Sequence, residues 1–153
     1  MSIAILDLTE QDQMPIYAFM TSNGIWQGIS EDGACHYAYR PRQGSNISWL
    51  GYMSENTLVS VMCLEWKTKN TVSIHLNILK PFRNMALKIA NDFENHLKND
   101  LSVKTIIVEV PECYRNIKLM AYKLGFNKTG LIPSAFHKNR KLHNLNLFTK
   151  VIS

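Results

Sequence analysis

The apolar pattern of this chain changes period inside residues 71–98, TVSIHLNILKPFRNMALKIANDFENHLK, and that change limits what the chain can fold into. Up to Leu79, the apolar Val72, Ile74, Leu76 and Ile78 alternate with Ser73, His75 and Asn77. A period of two marks a strand with one face to the core and one polar face. After Pro81 the stripe becomes Met85, Ile89, Phe93 and Leu97, widened by Ala86 and Ala90, the pattern of an amphipathic helix. NDLS stops that helix, and the β-branched run VKTIIVEV follows at 103–110. A strand–helix–strand crossover is normally right-handed and sets its two strands parallel, so 71–79 and 103–110 are expected to be parallel neighbours. Between strand and helix, a sharp turn and a helix N-terminus bring free backbone N–H groups to one spot, a place suited to a phosphate-bearing ligand.

The flanking sequence supplies a mostly antiparallel sheet around this unit. SIAILDL, residues 2–8, suits a strand, and Thr9 followed by EQD signals a helix start that carries Pro15 in its first turns and ends by 22–24. NISWLGYM, NTLVSVMCLEWKT and TVSIHLNIL are separated only by short polar pairs and should form successive hairpins. Pro111 is expected to open a second helix, with Ile117, Met120, Ala121 and Leu124 inward and Gly125 as its C-cap. FNKTGLIP and LHNLNLFTKVIS should make a last hairpin with the basic run HKNRKLH, 137–143, at a solvated tip. Residues 21–46 hold four of the seven glycines and show no sustained period. With Trp26, Tyr37 and Tyr39, and a short helix near 25–29, they suit either a substrate-side flap or a long connection capping the core. The fold class is α/β (α+β) with a mixed sheet, and residues 1–153 are expected to form a single domain.

Charged residues make up 19% of the chain and apolar residues 46%, as in ordinary folded proteins. No run approaches the roughly 18 consecutive apolar residues of a membrane span, and MSIAILDLTEQD lacks the basic start of a signal peptide. Cys35, Cys63 and Cys113 show no metal-type spacing, and none of the five histidines falls in HExxH. Reduced cysteines and a cytoplasmic location are expected, the host cytoplasm for a viral protein. The net charge of +5 is spread out, and without interleaved aromatics the 137–143 cluster is not expected to hold nucleic acid.

The polar face of the 71–79 strand nominates His75 as a general base, since its ordinary pKa of about 6.5 suits proton transfer. Glu109, alternating with Val108 and Val110 on the other parallel strand, is the alternative.

The order of elements, with KLGF at 123–126, resembles the GCN5-related N-acetyltransferase (GNAT) superfamily along essentially the whole chain. The resemblance implies splayed parallel strands with acetyl-coenzyme A between them and an amine acceptor, on a small molecule or a protein. It assigns the edge of Asn77, Ile78 and Leu79 to the pantetheine arm, helped by Asn116. The pyrophosphate falls to Arg83, Asn84, Met85, Ala86, Leu87 and Lys88. Pro81-Phe82-Arg83 is similar to the family's lead-in. The phosphate motif itself is degenerate, because Ala86 and Lys88 stand where glycine and a second small residue belong, and side chains there fill space that a phosphate needs. The family's proton-donating tyrosine falls at Ala121; its neighbour Tyr122, about 100° further round the helix, is the candidate acid. The implied activity is acetyl transfer to an amine. The alternative is a non-catalytic interaction protein of the same fold, such as the phage head-assembly proteins that it also resembles, with a protein partner.

Overall fold

The computed structural model describes residues 2–152. Strand β1 (Ile3–Leu8) runs into a capping box in which the Thr9 N–H donates to Asp12 Oδ2 at 2.7 Å and Thr9 Oγ1 accepts from the Gln11 N–H. The 3-10 turn so started continues into α1 (Gln13–Met20) and, after a break, into the four-residue α2 (Trp26–Ile29). Strands β2 (Ile47–Ser54), β3 (Thr57–Trp66) and β4 (Thr71–Ile78) form the expected antiparallel meander. Glu55 and Asn56 join the first two with φ of 49° and 65°, the left-handed pair that a two-residue hairpin turn requires. Then follow α3 (Ala86–Asn99), β5 (Thr105–Pro111), α4 (Arg115–Lys123), β6 (Asn127–Lys138) and β7 (Lys141–Val151).

One seven-stranded sheet results, in the order β1-β2-β3-β4-β5-β7-β6, with β4 and β5 as its parallel pair. That pair is registered only from Thr71↔Thr105 to Ile74↔Val108. Beyond it, β4 stays paired to β3 as far as Ile78 and β5 stays paired to β7 as far as Pro111. Each strand is thus held by its outer neighbour while the two inner edges part. The sheet is the splayed, mixed GNAT-like sheet.

Alternation along the strands divides the core between the two faces. Tyr52, Leu64, Val72, Ile74 and Phe148 pack with Ile89, Phe93 and Leu97 of α3. Trp49, Val61 and Cys63 pack on the other face with Ile16, Phe19 and Met20 of α1. The ammonium of Lys150 on β7 ties the first layer together, pairing with Glu94 of α3 at 2.6 Å and donating to the Leu124 carbonyl at the end of α4 at 2.6 Å. Gly125 has φ +87°, its N–H reaches Tyr122 O, and the Phe126 N–H reaches Ala121 O, the paired bonds of a Schellman stop.

Four local expectations need correction. Residues 80–85 are a 3-10 turn, and the α-helix proper begins only at Ala86. Pro111 closes β5, paired with Leu145, rather than opening α4; its carbonyl accepts from the Tyr114 N–H and turns the chain before Arg115. Ile117 is 46% exposed on the first turn of α4 instead of facing the core. β6 continues past Pro133, because a register irregularity between Ile132 and Phe136 spares the ladder the N–H that proline lacks.

Phe93, fully buried against Tyr52 at 5.6 Å between ring centroids, is expected to be the costliest core truncation. Phe93→Ala should lower unfolding free energy by about 3–5 kcal/mol in a denaturant titration. Tyr37→Ala, at a site 75% exposed, should stay within about 0.5 kcal/mol.

Candidate functional site

The parting of β4 and β5 opens into a cleft of about 1030 Å³ that reaches both faces of the sheet. On one side its walls are Ala86 and Ala90 of α3 with Met120 and Ala121 of α4; on the other they are Ile25, Ile29, Tyr39 and Trp49. Most of this lining is apolar, which gives the few polar groups within it their weight.

His75 lies on the wall that faces away from α3, in register with Cys63 of β3. Burial lowers its pKa from the ordinary 6.5, and the nearby Glu109 carboxylate opposes that shift without cancelling it. Each lies one residue beyond the last parallel pair, Ile74↔Val108, but only His75 lines the cleft. The imidazole is therefore neutral at neutral pH and free to accept a proton. Cys63, beside it, is no nucleophile, because burial pushes its thiol up to about 11.

Two polar atoms in the cleft have no partner. Asn77 Nδ2 is buried and makes no hydrogen bond, although the Asn77 backbone carbonyl accepts from Ser60 Oγ at 2.7 Å. The Tyr114 hydroxyl is likewise buried and unpaired, its ring set edge-on to Phe136 at 5.8 Å. Sequence reading missed Tyr114: it stands in the β5–α4 connection, where no period or motif marks a residue as inward.

The other nominated residues divide. Ile78, Arg83, Ala86 and Asn116 line the cleft, whereas Asn84, Met85, Leu87 and Lys88 do not, and Leu79 packs into the α1 side of the core. Tyr122, the candidate acid, is also outside: 53% exposed, it packs edge-on against Phe148 at 5.2 Å. The 100° step from Ala121 carries it off the cleft-facing side of α4. In the turn after β4 several donors that a phosphate would need are already engaged. Arg83 spends its guanidinium on carbonyls, Nε on Ile78 O at 3.2 Å and Nη2 on Gly24 O at 2.7 Å. Lys88 pairs with Asp92 at 2.8 Å, and the 3-10 geometry spends the N–H groups of Phe82 and Ala86 on Leu79 O and Arg83 O.

From residues 21–46, Ile25, Gly28, Ile29, Tyr39 and Arg42 line the cleft, and Ile25 and Tyr39 also pack on the α1 core. The basic hairpin tip is not merely solvated. Asp32 accepts from the N–H groups of Asn139 and Arg140 at 3.0 and 2.7 Å, and Lys138 Nζ donates to Gln27 O and Ser30 O. The tip fastens the 27–32 segment over that end of the cleft. Among the described residues no group of three His, Cys, Asp or Glu side chains is placed to hold a metal, and no helix is long and apolar enough to cross a membrane.

The cleft fits acetyl-coenzyme A unevenly. The gap and its apolar walls suit the arm and the acyl end, while Arg83 and Lys88 in the 80–88 turn are engaged within the protein rather than open to the pyrophosphate.

A family model described as "Protein of unknown function (DUF2824)" matches residues 9–151. No curated protein matches the chain in sequence. Among solved structures, the chain is similar to spermidine N-acetyltransferase from Vibrio cholerae in complex with CoA and spermine, with TM-score 0.76 and 11% identity, over 97% of this chain and 95% of that one. It is also similar to the ribosomal-protein-S18-alanine N-acetyltransferase from Escherichia coli, with TM-score 0.75 and 12% identity, over 99% and 95%. At such identities the likeness is one of fold.

By the linkage of protonation to folding, the unfolded chain protonates at His75 before the folded one does. That part of the stability is complete above about pH 6.5 and falls as pH drops toward the lower folded pKa. In an NMR titration the His75 ring should titrate below 6.5, and Glu109→Gln should move it lower still. A His75 midpoint at or above 6.5 would contradict this electrostatic picture.

Proposed function

The chain belongs to this family of unknown function, so its chemistry must come from the cleft, and we propose that it is an acetyl-coenzyme A-dependent N-acetyltransferase acting on an amine. The observation that carries the reading is the parting of β4 and β5 with a neutral, half-buried His75 on its wall. The complex of the Vibrio cholerae structure with CoA and spermine supports an amine as acceptor.

When bound, acetyl-coenzyme A supplies an acyl group already activated as a thioester. The chain's own part is to seat and deprotonate. The edge of β4 at Asn77 and Ile78, with Asn116 at the start of α4, holds the arm. Arg115, exposed beside Asn116 and lining the cleft, contributes positive charge at the mouth, while Arg83 is bound to backbone carbonyls and Lys88 is paired with Asp92. His75 takes a proton from the acceptor ammonium, and Glu109 stabilises the imidazolium that forms. The apolar wall of Ile25, Ile29 and Trp49 keeps water from the acceptor nitrogen.

A second reading has its own observation. Because Arg83 and Lys88 are tied up within the protein, the scaffold also suits an interaction protein that has given up the cofactor, as in a phage head-assembly factor.

One titration separates the two. Acetyl-coenzyme A at 100 times its dissociation constant should stabilise the protein by about 2.7 kcal/mol and raise the melting temperature by several degrees. Ala86→Trp should abolish the rise by filling the cleft wall. His75→Ala should keep the rise but lose turnover by about 10²–10⁴-fold. A flat melting curve at millimolar acetyl-coenzyme A would end the transferase reading, and a stoichiometric protein partner recovered from the native host would support the other.

A further inference from the structure

The two sides of the cleft differ in charge. On the α3–α4 side the lining includes Glu94, whose carboxylate is paired with Lys150 at 2.6 Å. On the His75 side it includes Ile25, Gly28, Ile29, Tyr39 and Trp49, and its charged members are cations: Arg42, and Arg83 fastened to the Gly24 carbonyl. Among the described residues no carboxylate lines that side. The acids of the surrounding segments are engaged elsewhere. Glu65 serves both Arg42 and Lys67. Glu31 and Asp32, just after α2, accept from the His137, Asn139 and Arg140 N–H groups of the hairpin tip. Glu109 lies off the lining. Tyr39 and Cys63 add no negative charge, because burial pushes the phenol up to about 12 and the thiol up to about 11.

An aliphatic amine arrives here as an ammonium, and His75 relieves that one charge by taking its proton. A second ammonium further along the same molecule has no such exit. It would lose water against apolar side chains and meet no anion, and an unpaired charge is costly to bury. Two cations around the single Glu65 leave that corner net positive, which adds repulsion. We infer that the His75 side of the cleft takes a primary monoamine with an uncharged, apolar body and excludes polyamines. As an acceptor class this rests on the transferase reading. The body of the amine packs on Ile25, Ile29 and Trp49. Gly28 is the place to add the missing anion: apart from its own helix and chain neighbours, no heavy atom lies within 4 Å of a Cβ placed there.

The test compares hexylamine with 1,6-diaminohexane, which share a chain length and differ in one charged end. With acetyl-coenzyme A, kcat/KM for hexylamine should exceed that for the diamine by at least about tenfold. Without acetyl-coenzyme A, hexylamine should move the His75 ring signals in NMR spectra at concentrations about tenfold below those the diamine needs. Gly28→Glu and Ile29→Glu each put a carboxylate on the wall, and both should reduce these ratios severalfold. Gly28→Gln, of matching length without charge, should keep them. A diamine bound or acetylated by wild-type protein as well as hexylamine would overturn the inference and leave the transferase reading standing. So would ratios that neither acidic variant lowers, or that Gly28→Gln lowers as far as Gly28→Glu does. Wild-type protein that acetylates neither amine would remove the inference, and a flat melting curve with acetyl-coenzyme A would remove the transferase reading with it.

Discussion

The structure depends on an unequal competition for two strands. β4 and β5 pair with each other over four residues, but each is bonded along its outer edge for seven, to β3 and to β7. Backbone groups in a sheet must be paired or solvated, and the outer ladders meet that demand on one side of each strand. The inner edges are thus free to diverge without unravelling either strand. Right-handed strand twist then carries the two C-terminal ends apart. The cleft, its polar wall and the division of the core follow from this one divergence.

What the cleft can hold is set by how the surrounding charges are spent. Arg83 locks the turn after β4 onto the α1–α2 connection. Lys88 joins Asp92, which also accepts the buried Tyr52 hydroxyl at 2.6 Å. Arg42 and Lys67 both serve Glu65, whose carboxyl their hydrogen bonds hold below its ordinary range. These pairs fix loops to the sheet, and they withdraw cations from the places where an anionic ligand would meet them. His75, Asn77, Tyr114 and Arg115 border the gap without a side-chain partner of this kind.

The segments outside the regular elements are held by similar means. Asp32 and Lys138 bind the hairpin tip to the 27–32 segment through backbone partners. Residues 21–46 carry too little apolar periodicity to be placed from sequence. Contacts separated by more than a hundred residues fix them, and no local window contains both ends of such a contact.

The amino-acid order alone determined the strand and helix succession, the parallel pair, the glycine stop at 125 and the position of His75 and Asn77 on a polar strand face, because each is written in a local period or a capping residue. It did not determine where helices begin after Pro81 and Pro111, since a proline fits a 3-10 turn or a strand end as well as a first helical turn. Only the tertiary structure turned Tyr122 outward, buried Tyr114 unpaired and occupied Arg83. Those outcomes depend on which side chains from distant segments reach a given point in space, and sequence spacing carries no record of that.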